Sequence, residues 1–368
     1  MAGFPFMRQA EAFRSSLPFI LLLAVFTLPC PMSAAAKPRP AIAFVHLLLP
    51  PGGEPHASPT GWIGSLDRAR DTLESLRIPT IVSSASPGNA EDLNELSEMD
   101  PEVLITTSPL LYAAACDVAK RSPNTVFFAC TDETVHDNMS GFQARTYEAH
   151  YLAGLIAGAL SEDGVIGYLA NDPYQSKASR LRNANAFTLG AQKSKAAIRV
   201  LYAPGNDPDE ELKTLIAAGA DIVDLERALP SLVERLREHS VRYVGTAGRT
   251  VDPLCLAAPE WEWSNAFGDL LTQVRFGIWR PRNVSYGIKE GVVGLSPFGP
   301  AVPETVRVRV REAKEAIRNG ASPFEGPVRD VSGSLRIAEG SVPDDVTLRG
   351  MDWRVQGLEP LPLTPDGR

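Results

Sequence analysis

The chain has 368 residues, with 36 Lys and Arg against 44 Asp and Glu and a net charge of −8. An acidic chain without a basic tract is a poor partner for nucleic acid, because phosphate contact needs clustered Lys and Arg. Its length exceeds what one hydrophobic core usually holds, so two lobes are expected.

At the N-terminus, Arg8 and Arg14 precede an uncharged apolar run at residues 17–28. Ser33, Ala34, Ala35 and Ala36 follow just before Lys37. A basic region, a short apolar region and an Ala-x-Ala site read as a secretory signal peptide over residues 1–36, which implies a periplasmic protein. The twelve residues of the apolar run fall short of the roughly 20 that span a bilayer. Thr27-Leu28-Pro29-Cys30 has Leu and Pro in the wrong places for a lipidation box, so Cys30 belongs to the discarded segment. The remaining residues 37–368 hold 34 basic and 43 acidic side chains, a net charge of −9. They keep Cys116, Cys130 and Cys255, with no CxxC and an odd count that leaves at least one thiol unpaired. Small buried hydrophobes are the leading reading of all three; a Cys116–Cys130 disulfide is the alternative.

Apolar runs at residues 41–49, 103–107, 125–130, 165–169, 198–202, 220–225 and 241–246 read as short buried strands. Between them, residues 62–76, 110–121, 147–160, 178–192, 209–218 and 229–239 carry helical periodicity. Such alternation predicts an α/β fold with parallel sheets covered by helices on both faces. Ligands then bind beyond the carboxyl ends of the strands. The segment 138–145 separates a first group of units from a second, and residues 256–263 and 287–295 are candidate return crossings. The expected division is 37–145 with 256–287 for lobe 1, 146–255 with 288–358 for lobe 2, and a disordered tail at 359–368.

The chain lacks a serine nucleophile elbow, an HExxH and a P-loop. Its five histidines show no metal spacing, so no metal, cofactor or catalytic group is expected. His150 reads as a packing or surface residue. Asp207, Asp209, Glu210 and Glu211 read as a solvated helix start, where acids favour the dipole.

Tyr151–Gly154 (YLAG), residues 166–170 (IGYLA) and 185–191 (NAFTLGA) occur in the order found in one family. Residues 287–303 (GIKEGVVGLSPFGPAVP), 323–327 (PFEGP) and 351–357 (MDWRVQG) extend the match. Together they resemble the basic-membrane-protein (BMP) family of ABC-transporter substrate-binding proteins, in its purine- and nucleoside-binding branch. The resemblance covers roughly residues 41–357. It implies a type I periplasmic-binding-protein fold, with two doubly wound parallel-sheet lobes joined by a multi-strand hinge. It also implies capture of a small molecule by hinge closure, delivery to an ABC permease, and a protein that is not an enzyme and works as a monomer.

The same resemblance nominates ligand contacts. Gly61 and Trp62 occupy the family's Gly-Trp position, where Gly61 allows close backbone approach. Trp62 either stacks on the ligand or serves as a core aromatic on its helix. Trp263 matches a second family tryptophan. Thr107 and Ser108 offer hydroxyls at a strand end. Asp132 resembles an aspartate that accepts hydrogen bonds from sugar hydroxyls, or else it is a turn residue. Lys289 matches a ligand-donating lysine, or else it is a solvated surface lysine. Other positions depart from the pattern: Pro59, Leu66 and Pro109 replace an acid, a histidine and an aromatic. The loop Gly245-Thr246-Ala247-Gly248-Arg249 has lost two acids, and Glu226-Arg227-Ala228 is also altered. Arg227 and Arg249 would suit an anionic or more polar ligand, and a site that has lost its ligand would read the same way. A ligand-binding module for a membrane sensor, or a degenerate paralogue with an altered ligand, is the alternative role.

Overall fold

The structure, a computed structural model, describes residues 40–48, 61–86, 88–131, 133, 136–173, 175–245 and 252–362. The expected signal peptide, Pro59, Asp132, residues 246–251 and residues 363–368 lie outside them.

Lobe 1 contains β1 (Ile42–Leu47), α1 (Gly61–Ser75), β2 (Thr80–Ala85), α2 (Glu91–Glu98), β3 (Val103–Thr106), α3 (Tyr112–Ala119), β4 (Val126–Cys130) and β5 (Met139–Ala144). The chain then passes into α4 (Thr146–Leu160), β6 (Val165–Leu169), α5 (Lys177–Ser194), β7 (Arg199–Ala203), α6 (Pro208–Ala217) and β8 (Ile222–Leu225). Lobe 2 continues through α7 (Pro230–Glu238), β9 (Arg242–Gly245) and β10 (Cys255–Ala257). It returns by β11 (Pro259–Trp261) to α8 (Ser264–Arg275) and β12 (Asn283–Tyr286), then leaves again by β13 (Val293–Leu295). The last elements are α9 (Glu304–Arg318), β14 (Val328–Arg329), β15 (Leu335–Ile337), α10 (Asp345–Arg349) and β16 (Leu358–Pro360).

The strands form two six-stranded sheets, ordered β12-β5-β4-β3-β1-β2 and β10-β9-β8-β6-β7-β16. Every pairing within them is parallel. Central strands such as β1 and β3 are buried along their whole length, as both-faced helical cover requires. β11 and β13 pair antiparallel between the lobes. Two boundaries differ from expectation. β10 belongs to the second sheet, so that sheet runs on to Ala257. Glu359 and Pro360 also pair with β7 instead of trailing off. Cys116, Cys130 and Cys255 form no disulfide; the first two are buried small side chains.

The chain's family-like stretches turn out to touch one another. A Cβ at Gly154 on α4 would stand 2.1 Å from Phe187 O on α5, and one at Gly190 would stand 2.1 Å from Tyr151 O. Real Cβ contacts are never that short, so glycine at both positions sets the spacing of α4 and α5. Asn185 then fastens the tail to α5. Its amide donates to Trp353 O at 2.8 Å, and its carbonyl accepts Val355 N–H at 2.9 Å.

Candidate functional site

Parallel sheets expose the carboxyl ends of their strands along one edge, and each lobe brings polar side chains there. In lobe 1, His46 near the end of β1 is 2% exposed. Its Nε2 lies 3.3 Å from Asp67 Oδ1 on α1, and its Nδ1 lies 3.3 Å from Thr107 Oγ1 beyond β3. Thr107 donates its hydroxyl to Val45 O at 3.1 Å. Ser108 Oγ accepts Leu110 N–H at 3.3 Å and caps the short turn that follows. Both hydroxyls are buried and engaged with the scaffold.

Trp62 stands beside them in the first turn of α1. Its indole N–H donates to Thr107 O at 2.8 Å. Its ring stacks on Phe142 at 6.4 Å and meets Trp261 and Trp263 edge-on at 5.8 and 5.3 Å. Trp62 is half-buried, and its indole N–H is already engaged. Gly61 opens α1 with φ 69, a left-handed conformation that favours glycine. Trp263 is 0% exposed, with its ring parallel to Phe267 at 5.5 Å. It supports Trp62 from behind and presents no surface of its own. Lys289 is exposed on the segment between β12 and β13. The structure thus joins Trp62 to Thr107 and Trp263, with Gly61 and Ser108 next to them in the chain, while Lys289 is an exposed residue of another segment.

Lobe 2 presents a different surface. Asn171, after β6, and Arg227, after β8, bond reciprocally: Asn171 Nδ2 donates to Arg227 O at 2.8 Å, and Arg227 N–H donates to Asn171 Oδ1 at 2.9 Å. Glu226 is buried next to them. Tyr168 O–H donates to its Oε1 at 2.8 Å, and Asn183 Nδ2 reaches the same oxygen at 3.4 Å. Asn183 also donates to Gln175 Oε1 at 2.8 Å, and Gln175 donates to Asp172 Oδ2 at 3.0 Å. Beneath this layer, His150 Nδ1 lies 3.1 Å from Asp224 Oδ2, both buried.

The electrostatics follow from burial. Loss of water pushes the Glu226 carboxyl up to about 7, although His150 and the Tyr168 hydroxyl pull it down. Burial pulls His150 down, but Asp224 outweighs it and leaves the imidazole raised. Tyr168 is held well above its ordinary value by burial and by Glu226. Sequence reasoning missed this network. Its signals were a charged residue inside the apolar strand Ile222–Leu225 and a histidine on the apolar helix Thr146–Leu160. The loop carrying Arg227 therefore also carries a buried carboxyl, so its charge is not simply cationic. Among the described residues, no group of three or more His, Cys, Asp or Glu is placed to hold a metal ion.

Residues 66–217 match the family profile described as Bmp, ABC transporter substrate-binding protein PnrA-like. The chain is 28% identical to a purine-binding protein of Brucella abortus, over 89% of this chain and 95% of that one. It is also 28% identical to a putative ABC transporter glucose-binding protein of Haloferax volcanii, over 77% and 78% of the two chains. Among solved structures, a solute-binding protein of an ABC transporter system from Conexibacter woesei superposes with a TM-score of 0.60. That match has 17% identity and covers 76% of this chain and 97% of that one. The fold is the type I periplasmic-binding-protein fold, with two parallel-sheet lobes of six strands each.

Proposed function

We propose that the chain is a member of the Bmp family of PnrA-like ABC transporter substrate-binding proteins, whose profile its residues 66–217 match, and that it captures a purine base or nucleoside between its lobes. Residues 1–36 would direct it out of the cytoplasm, and the loaded form would engage an ABC permease encoded on another chain. The observation carrying this reading is the relationship to the Brucella abortus purine-binding protein along nearly the full length of both chains. Two features of the site agree with it. The half-buried Trp62 ring supplies a flat surface, and stacking contributes about 1–3 kcal/mol per base. Asn171, Glu226 and the Gln175–Asp172 pair are polar groups on the other lobe, and a ligand would take the place of some of their present partners. Micromolar binding needs about −8 kcal/mol, which one stacked ring and several hydrogen bonds can supply. Closure follows if the ligand binds the closed lobes better than the open ones.

The relationship to a glucose-binding protein, at the same identity, supports a second reading in which a sugar fills the site. A thermal-shift screen of residues 37–368, unfolded and refolded to strip bound ligand, decides between them. The panel holds purine bases, nucleosides, nucleotides, glucose and small anions. A specific ligand at a hundredfold excess over Kd stabilises by about 2.7 kcal/mol. A shift with a purine supports the first reading, and a shift with glucose alone replaces it. A shift with anions alone implicates Arg227 and Arg249. No shift from a cooperatively folded sample favours the sensor module or a degenerate paralogue.

A further inference from the structure

Three segments pass between the lobes, and side chains tie them together near the start of α4. Trp261 on β11 donates its indole N–H to Thr146 Oγ1 at 3.1 Å, joining the first and second crossings. Glu148, one turn into α4, accepts the Ile288 amide N–H on Oε2 at 2.7 Å, joining the first and third. A Cβ at Gly287 would stand 2.5 Å from that same oxygen. A side chain at this position would push the carboxyl aside. Glu148 is 7% exposed.

The charged groups around it are unbalanced. Arg145, just before α4, pairs with Glu290 on the third crossing at 3.0 Å and with Asp345 on α10 at 3.0 Å. Tyr147 adjoins Glu148 on its own helix. Glu148, Glu290 and Asp345 thus gather around Arg145, which donates its hydrogen bonds to Glu290 and Asp345, while Arg349 acts on Asp345 and Arg182 lies over the Tyr147 ring.

We propose that Glu148 is a proton-operated latch on the hinge, holding the third crossing against α4 when neutral and releasing it when ionised. Glu148 is buried where its Oε2 meets Ile288 and Gly287; movement of the third crossing away from α4 would hydrate it, and water is what stabilises its charge. The arrangement described here therefore retains the proton, and a hinge position that hydrates Glu148 gives it up. Burial pushes this carboxyl up to about 7, with Glu290 and Asp345 adding to the rise while the Ile288 amide and Arg145 oppose it. The latch would then act between mildly acidic and mildly basic conditions. It goes beyond the binding reading and holds whichever ligand the lobes take.

The test uses ligand-free residues 37–368, so a failed purine screen leaves it standing. Carboxyl carbon NMR of Glu148 should show titration near neutrality. Hydrogen exchange at Ile288, corrected for intrinsic rate, should lose at least tenfold protection between pH 6 and pH 8.5. Glu148→Gln keeps an acceptor without a charge, and its Ile288 protection should change less than twofold over that range. A Glu148 carboxyl titrating in the ordinary glutamate range would overturn the latch. So would an equal loss of Ile288 protection in Glu148→Gln. If that variant fails to fold, the carboxyl titration of the unmodified chain still decides.

Discussion

Lobe 1 and lobe 2 share a six-stranded parallel plan, yet their strand-end edges are finished in different chemistry. Lobe 1 ends in packed rings, where Trp62 rests against Phe142, Trp261 and Trp263, and the nearby hydroxyls of Thr107 and Ser108 are bonded to backbone. Lobe 2 ends in a buried polar network that links His150 with Asp224 and Tyr168 and Asn183 with Glu226. The first edge offers shape and a flat surface. The second offers directed hydrogen bonds and groups whose charge depends on pH. Under the proposed purine reading, the ligand's ring would meet the first edge and its polar rim the second.

The sharpest way to separate the edges is Asp224→Ala, which strands His150 in the interior without its carboxylate. Breaking a buried pair by removing one partner costs about 3–5 kcal/mol, and urea unfolding should register it. A loss under 1 kcal/mol would mean the pair is not closed in solution.

Glu226→Gln comes next and tests the pH response. A carboxyl raised from 4.5 to about 7 in the fold binds a proton that the unfolded chain releases across that window. Its stabilising effect is therefore full below the unfolded value and fades as pH rises towards 7. Between pH 5 and pH 8 the parent chain should lose stability, with Glu226 accounting for roughly 3 kcal/mol at most. Glu226→Gln should lose correspondingly less. Equal losses in both proteins would remove Glu226 from the account.

Trp62→Ala probes the aromatic edge. If Trp62 served the ligand alone, the empty protein would barely notice the change. The Thr107 hydrogen bond and three ring contacts predict otherwise: about 2 kcal/mol of lost stability for a half-buried tryptophan, together with weaker ligand binding. Calorimetry of the empty protein checks the first part. The smallest effect belongs to Lys289→Ala. This residue is exposed, so stability should stay within about 0.5 kcal/mol, and a larger loss would reveal an anchoring contact.

The fold was legible because its signals are local and its motif stretches are scaffold contacts. All seven apolar runs became strands, and residues 165–169 matched β6 end to end. The family-like stretches owe their form to packing: Gly154 against Phe187, Gly190 against Tyr151, Asn185 against Trp353 and Val355, and Glu148 against Gly287 and Ile288. Such contacts declare a framework and say little about its ligand. Strands β2, β5 and β12 escaped notice because parallel pairing, not an apolar run, holds them. Thr80–Ala85 lies on a sheet edge, and Met139–Ala144 mixes polar and glycine residues between two neighbours. The lobe 2 network was hidden for another reason. His150, Asp224 and Glu226 are distant in sequence except for the last two, and only the sheet brings them to one place.

Isothermal titration of adenine and guanosine into ligand-stripped residues 37–368 tests the two-edge account most directly. The account predicts one site per chain for a purine. It also predicts that Trp62→Ala in lobe 1 and Glu226→Gln in lobe 2 each weaken binding at least tenfold, or about 1.4 kcal/mol. Purine binding that survives either change unaltered, or no heat with any purine, would contradict it.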